Sequence, residues 1–160
     1  MVPYQDMPPN ARVWIYQSNR LLTTAEGMQA HQALRQFVEQ WQSHGKPVRA
    51  WAEVLHQLFL VLVVDEDYEA PSGCSIDSSV ASIHGLGQAL GVDWFDRMVF
   101  AYQTADQQVH TAPREQFAAL YADGTINDET TVFNNLVQTK QDLETAWRIP
   151  LAESWHANMV

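Results

Sequence analysis

Two hydrophobic periods alternate along the first hundred residues, the two-residue period of strands and the longer period of helices. A helix is predicted over residues 24–44, where Thr23–Glu26 forms a capping box. A second helix follows Ser72 and carries an apolar stripe from Ile76 to Leu90. Strand patterns cover Arg12–Gln17, Val48–Val54, Leu58–Val64 and Arg97–Gln103.

The order of these elements, βαββαβ, is that of the ferredoxin-like unit. The sequence therefore predicts an α+β fold with a four-stranded antiparallel sheet and two helices on one face. The segment Leu55–Gln57 is expected to connect the second and third strands as a tight turn, although it lacks glycine and asparagine.

The C-terminal third carries apolar residues at helical spacing. A short helix is predicted over residues 113–122, and a longer helix is capped by Asp128 and ended by Pro150. We therefore expect one domain, residues 1–160, with a βαββαβ core at 11–104 and a helical extension at 113–160.

A mixed face of aromatic and charged residues is expected on the side of the sheet away from the helices. It is too apolar to remain in water, so we expect the helical extension or a homodimer partner to cover it. The face is either a pocket with polar anchors or a second core layer. Its members are Arg12, Trp14, Tyr16, Arg49, Trp51 and Glu53.

The net charge of −10 restricts the classes of partner. No basic stripe is present for nucleic-acid binding, and an acidic membrane surface would repel the chain. The N-terminus lacks the features of a secretory signal, and the longest apolar run, Leu58–Val64, is too short to span a bilayer. The sequence predicts a cytoplasmic protein that binds neither nucleic acid nor membranes.

The stretch Ser72–Val80 is the first candidate site, because it opens the second helix directly after the most apolar strand. The first amides of a helix are unpaired and carry partial positive charge, so they attract anions. In the ferredoxin-like arrangement Arg12 and Arg49 begin strands at the same edge. A small anion or phosphometabolite is the expected ligand, and the candidate ligand-binding residues are Arg12, Arg49, Ser72, Gly73, Ser75 and Asp77.

The same stretch has two other interpretations. Cys74, the only cysteine, would be the catalytic residue of a thiol-dependent enzyme or redox sensor, because a helix N-terminus stabilises a thiolate. Alternatively Ser72 or Ser75 only caps the helix, Asp77 complements its dipole, and Cys74 is a small buried residue.

No pattern of residues predicts a metal or a cofactor. The six histidines form no local ligand pair, and the acidic run Asp65–Asp67 lacks EF-hand spacing. Neither a phosphate-binding P-loop nor a G-x-S-x-G motif is present. Because no catalytic constellation is recognisable, the preferred interpretation is a soluble binding or interaction domain without catalytic activity. The anion binder and the thiol enzyme are the alternatives.

Four segments carry a resemblance: Trp14–Ser18, Ser72–Val80 with the sequence SGCSIDSSV, Thr131–Val137 and Glu153–Trp155. Together they resemble a family of short, uncharacterised bacterial proteins, some of which are labelled "ABC transporter ATPase". The resemblance covers nearly the whole chain and implies a self-contained domain. It implies no ATP hydrolysis, because the lysine loop that cradles the phosphates is absent from this sequence.

Overall fold

The computed structural model describes residues 1–160 and confirms an α+β fold with antiparallel sheets. The helices are α1 (Thr24–Gln40), α2 (Gly73–Leu90), α3 (Arg114–Ala122) and α4 (Lys140–Ala146). The strands are β1 (Arg12–Gln17), β2 (Gln42–Ser43), β3 (Lys46–Pro47), β4 (Ala50–Leu55), β5 (Phe59–Val64), β6 (Val99–Gln103), β7 (Val109–Pro113), β8 (Thr131–Phe133) and β9 (Arg148–Pro150). Short 3-10 turns occupy Tyr4–Asp6, Leu151–Glu153 and Trp155–Met159. None of the helices combines the length and the apolar character needed to cross a membrane.

The first sheet has the order β1-β5-β4, and all six residues of the central strand β5 are buried. Leu60, Leu62 and Val64 share a core with buried residues of α1 and α2. The alternate residues of β5 form a second core with residues of the second sheet and α4. The continuous apolar run of β5 thus reflects a strand that is covered on both faces.

The predicted four-stranded sheet is wrong, because its fourth strand lies in a different sheet. The second sheet has the order β7-β6-β8-β9, and β6 makes no ladder with β1. The unpredicted strand β7 follows β6 after a short loop and gives β6 a local antiparallel partner. A local hairpin closes a shorter loop than pairing with β1 would require, and a shorter loop costs less entropy.

Residues 138–140 take the place beside the beginning of β1. The Val13 amide donates to the Gln138 carbonyl over 2.9 Å, and the Lys140 amide donates to the Ala11 carbonyl over 2.9 Å. Arg12 and Thr139 form an isolated antiparallel bridge between these segments.

The predicted long C-terminal helix is also wrong, whereas the predicted helix over 113–122 is confirmed as α3. The chain forms β8 and then turns at Asn134, whose side-chain oxygen accepts from the Leu136 amide. Asparagine competes with helical hydrogen bonds in this way, so α4 begins only at Lys140. The C-terminal third does pack against the first sheet, but as a second sheet and short helices.

The expected tight turn between β4 and β5 is confirmed. The Leu58 amide donates to the Leu55 carbonyl over 3.1 Å, and His56 and Gln57 have φ values of 56° and 52°. Both residues therefore adopt the left-handed conformation that favours Asn-Gly in such turns. The Gln57 carbonyl accepts from the Leu22 amide over 2.8 Å, which ties the turn to the segment before α1.

Candidate functional site

A cleft of about 580 Å³ lies along the free side of β1, and we call it the β1 cleft. One wall is β1 itself, and the opposite walls come from residues 94–100 and from the turn at residues 135–138. Phe133, Trp155 and His156 complete the lining. A volume of this size is typical of small-ligand sites.

The β1 cleft faces the edge of a strand rather than one face of a sheet. All six residues of β1, Arg12–Gln17, line it. Successive side chains of a strand point to opposite faces, so an unbroken run of lining residues places the cleft at the strand edge. Because β5 pairs with the other side of β1, this edge is the position that a fourth strand of the first sheet would occupy.

Two buried nitrogen atoms without a hydrogen-bond partner belong to residues of this cleft. They are Arg12 Nε and Trp94 Nε1, the only buried side-chain polar atoms in the structure that lack a partner. An unpaired buried donor costs about 1–3 kcal/mol. The Arg12 guanidinium lies 5.4 Å from the centre of the Trp14 ring and forms no ion pair. The Arg12 guanidinium therefore offers the cleft a donor group that an acceptor from outside the chain would satisfy, whereas Trp94 Nε1 lies beside Gly87 of α2 in the helix-side core.

The charges around the β1 cleft favour an anion. Arg97 also lines it and, like Arg12, forms no ion pair. Asp96 is the one carboxylate of the lining, and its side chain already accepts from the Met98 amide over 2.9 Å. The cleft is thus a locally basic place in a chain of net charge −10, and such a place attracts anions.

A saturated hydrogen-bond network closes one side of the cleft. Gln17 Nε2 donates to the Val99 carbonyl over 2.8 Å, and Gln17 Oε1 accepts from Asn135 Nδ2 over 2.9 Å. Asn135 Oδ1 in turn accepts from Trp147 Nε1 over 2.9 Å. Because these hydrogen bonds link β1, β6 and the 134–137 turn, they hold the walls of the cleft at a fixed separation.

His156 lies buried at the cleft and is neutral at pH 7. Its Nδ1 is 2.6 Å from Ser154 Oγ, and its ring stacks on Trp155 at a centroid distance of 3.8 Å. Burial lowers the pKa of His156 to about 4. The positive charge of the cleft at neutral pH therefore comes from its arginines alone.

The start of α2, where the first site was predicted, contains a helix cap. Ser72 Oγ accepts from the Ser75 amide over 3.1 Å, as the capping interpretation predicts. Ser75 Oγ donates to the Gln42 carbonyl over 2.7 Å, and the two hydroxyl oxygens are 2.8 Å apart. The hydroxyl groups that were expected to bind an anion are thus engaged within the protein.

The two arginines expected beside that helix start make other contacts in the structure. Arg49 pairs with Asp65 over 3.5 Å and lies over the Tyr68 ring, whereas Arg12 belongs to the β1 cleft. The interpretation of Cys74 as a buried residue is wrong, since it is exposed and free. Gly73 and Asp77 are exposed as well.

The predicted single aromatic face is also wrong, because the sheet divides it. Trp14 lies opposite Leu62 on β5, on the side of the sheet that α1 and α2 cover. It packs near Trp41, which directly follows α1. Trp51 lies opposite Val63 and contacts Tyr4 on the other side, at a centroid distance of 4.8 Å.

A second, more open cleft of about 1120 Å³ lies on that other side. It is lined by residues such as Trp51, His56 and Arg148. Burial and the positive charge of Arg148 lower the pKa of His56. No group of three or more His, Cys, Asp or Glu side chains is arranged to hold a metal ion anywhere in the chain.

Sequence reasoning missed Trp94, Arg97, Asn135 and His156 as parts of a site. One signal was present, since three of the four segments that carry the family resemblance border the β1 cleft. They are Trp14–Ser18, Thr131–Val137 and Glu153–Trp155. The fourth segment, at α2, lies outside both clefts.

Comparison with known proteins adds no relative to this description. The chain matches no protein-family model, no curated protein and no solved structure. The class is therefore defined by the fold and the site alone: an α+β protein with a basic cleft between a free sheet edge and a second sheet.

Proposed function

We propose that this protein is a binding domain without catalytic activity and that its ligand is a small anion held in the β1 cleft. The observation that carries the proposal is Arg12, which lines the cleft, forms no ion pair and has a buried Nε without a hydrogen-bond partner. An anion that accepts from this guanidinium would offset a desolvation cost that the free protein bears. The proposal keeps Arg12 from the predicted anion site and moves that site from α2 to β1.

The proposal also agrees with the surroundings of Arg12. The aromatic side chains of Trp14, Tyr16 and Phe95 give the cleft an apolar lining, which lowers the local dielectric constant and strengthens a hydrogen bond to a charged ligand. The saturated network around Gln17 and Asn135 keeps the site open without a ligand. A site that exists before binding loses little free energy to ordering its own side chains.

Thermal unfolding in the presence of anions tests this function. Sodium phosphate, acetate and benzoate are compared with sodium chloride at matched ionic strength. We expect at least one of these anions to bind in the cleft and raise the Tm, because a ligand that binds only the folded state stabilises that state. The Arg12→Gln variant should lose this rise.

Arg35→Gln is the matched control, since Arg35 pairs with Glu39 on the exposed side of α1, away from the cleft. A second variant, Arg49→Gln, separates the β1 cleft from the site first predicted at α2. If no anion raises the Tm, or if Arg12→Gln responds like the unchanged protein, the β1 cleft is not an anion site.

A thiol function of Cys74 is the second candidate, because the exposure of this residue gives a reagent access to its sulfur atom. Such a function requires a thiol with a lowered pKa. The rate of alkylation by iodoacetamide, measured against pH, decides between the two cases. A midpoint near or above the free-cysteine value of about 8.5 would argue against this function.

A further inference from the structure

We infer that the β1 cleft takes the C-terminal end of an extended peptide, which adds to β1 as an antiparallel strand and places its terminal carboxylate against Arg12. This inference rests on the proposed function, because it assigns the chemical class of the anion. It commits to a peptide with a free carboxylate, and other small anions are outcomes of the test.

The position of an added strand is vacant along part of β1. Residues 138–140 run antiparallel beside Arg12 and Val13, but the chain leaves this line at the turn of residues 134–137. From Trp14 to Gln17 the outer edge of β1 therefore has no strand partner. Four residues of strand span about 13 Å, which is enough for the last three or four residues of a peptide.

The backbone groups that would bind the peptide can be identified from the pairing of β1. In an antiparallel pair, alternate residues direct their N–H and C=O groups to the same side. The Val13 amide donates outwards to the Gln138 carbonyl, so Ile15 and Gln17 also direct their backbone groups away from β5. These groups face the cleft and are available for the hydrogen bonds of strand addition.

The direction of the peptide follows from the strand and the charges. An antiparallel peptide enters beside Gln17 and ends beside Trp14, because residues 138–140 already occupy the position beyond it. Its terminal carboxylate then arrives where the Arg12 guanidinium lies over the Trp14 ring. A parallel peptide would place its positively charged amino group there instead, against the same guanidinium. Charge complementarity therefore selects an antiparallel C-terminus.

The walls of the cleft also indicate which peptide residues fit. Trp14 and Tyr16 lie on the helix side, where Phe95 packs edge-on against Tyr16 at 5.5 Å. Leu136, which is 65% exposed, borders the opposite wall. Peptide side chains alternate between these two sides, so apolar side chains at the last position and two positions before it share the aromatic wall.

Fluorescence anisotropy with labelled tetrapeptides tests the inference. One pool carries a fluorophore on its N-terminus, Leu or Phe at its last position, and a free carboxylate. A second pool of the same sequences ends in an amide. We expect the free-acid pool to bind about 10- to 100-fold more tightly than the amide pool, since a hydrogen bond to a charged group contributes at this level.

Two further comparisons test the parts of the geometry separately. Arg12→Gln should reduce the affinity for the free-acid pool to that for the amide pool, while Arg35→Gln leaves it unchanged. N-methylation of the backbone amide at the second-to-last residue should weaken binding about fivefold or more, because it removes one hydrogen bond of strand addition. A circular dichroism spectrum and a cooperative melt establish that Arg12→Gln is folded.

The results separate this inference from the function on which it rests. If benzoate or phosphate stabilises the protein through Arg12 but neither peptide pool binds, the peptide inference is wrong and the anion site stands. Equal binding of the acid and amide pools, or an affinity that N-methylation at the second-to-last residue does not change, also overturns it. If Arg12→Gln changes neither the affinity for the peptides nor the rise in Tm caused by small anions, both proposals fail.

Discussion

Protonation of His156 should destabilise this protein at mildly acidic pH. The side chain is 1% exposed and is surrounded by the rings of Phe100, Phe117 and Trp155. Burial lowers its pKa from the ordinary value of 6.5 to about 4. The unfolded chain therefore binds a proton at His156 at a higher pH than the folded protein does.

The sign of the effect follows from this difference. Between pH 6.5 and pH 4 the unfolded state binds more protons, so the free energy of unfolding falls as the pH falls. With these two pKa values, His156 lowers the free energy of unfolding by about 2 kcal/mol between pH 7 and pH 5. The loss approaches about 3 kcal/mol below pH 4.

Urea unfolding, followed by tryptophan fluorescence at pH 7, 6 and 5 and constant ionic strength, measures this loss. The His156→Phe variant keeps an aromatic ring beside Trp155 but cannot be protonated. We expect the unchanged protein to lose about 2 kcal/mol more than this variant between pH 7 and pH 5. Carboxylates such as Glu26, whose pKa is lowered to about 2, contribute equally to both proteins and cancel.

Ile126→Val is the matched control, because Ile126 is buried in the same core and the change leaves the rings around His156 in place. It should lower stability at every pH while leaving the dependence on pH unchanged. If His156→Phe follows the same pH dependence as the unchanged protein, then His156 is protonated in the folded state and the reasoning from burial is wrong.

Three further predictions concern helix α2 and the network at the cleft, and urea unfolding at pH 7 measures each of them. Gly87→Ala should lower the free energy of unfolding by about 1–3 kcal/mol, because its Cβ would lie 2.7 Å from a backbone carbonyl oxygen. Gly85→Ala has open space around its Cβ and should raise the free energy of unfolding by up to about 1 kcal/mol. An equal effect of the two alanines would contradict the packing argument. Ser72→Ala should cost about 1 kcal/mol through loss of the α2 cap, and an unchanged midpoint would show that the cap contributes nothing. Asn135→Ala should lower the free energy of unfolding by about 2 kcal/mol, because the partly buried Gln17 amide oxygen then has no donor. A decrease of less than about 0.5 kcal/mol would mean that water replaces the donor.

Local patterns were sufficient for most helices and strands of the first two thirds. The capping box at Thr23 starts α1, with Glu26 and Thr23 each accepting from the other's amide. The apolar run of β5 is central and buried on both faces, as its sequence predicts. These features depend on neighbours within a few residues, so the sequence pattern contains the interactions that decide them.

Predictions that needed contacts between distant segments failed. The alternation of apolar and polar residues shows that each tryptophan, Trp14 or Trp51, shares a face with the residues two positions away. It does not show that the two tryptophans lie on opposite faces of the sheet. Their positions depend on the register of both strands against β5, where Trp14 is opposite Leu62 and Trp51 is opposite Val63. A shift of one residue exchanges the faces, and no local pattern fixes that shift.

The C-terminal third shows how a short apolar segment can satisfy two patterns. Val132 and Phe133 fit a helical stripe with Leu136 and Val137, yet they form a strand between β6 and β9. Short apolar runs do not distinguish helices from strands by periodicity alone. The β-branched residues Thr131 and Val132, followed by two asparagines, were the local signs of a strand and a turn.

The candidate site divides in the same way between sequence and tertiary structure. The sequence pattern was enough to predict the cap at Ser72, the central position of β5 and the scarcity of basic residues, because these depend on composition or on neighbours along the chain. The positions of β6 away from β1, of residues 138–140 along part of the vacant edge, and of Arg12 at the cleft without an ion pair required the folded structure. An unpaired donor or a free strand edge is defined by what the rest of the chain does not supply, so it becomes visible only when every segment is in place.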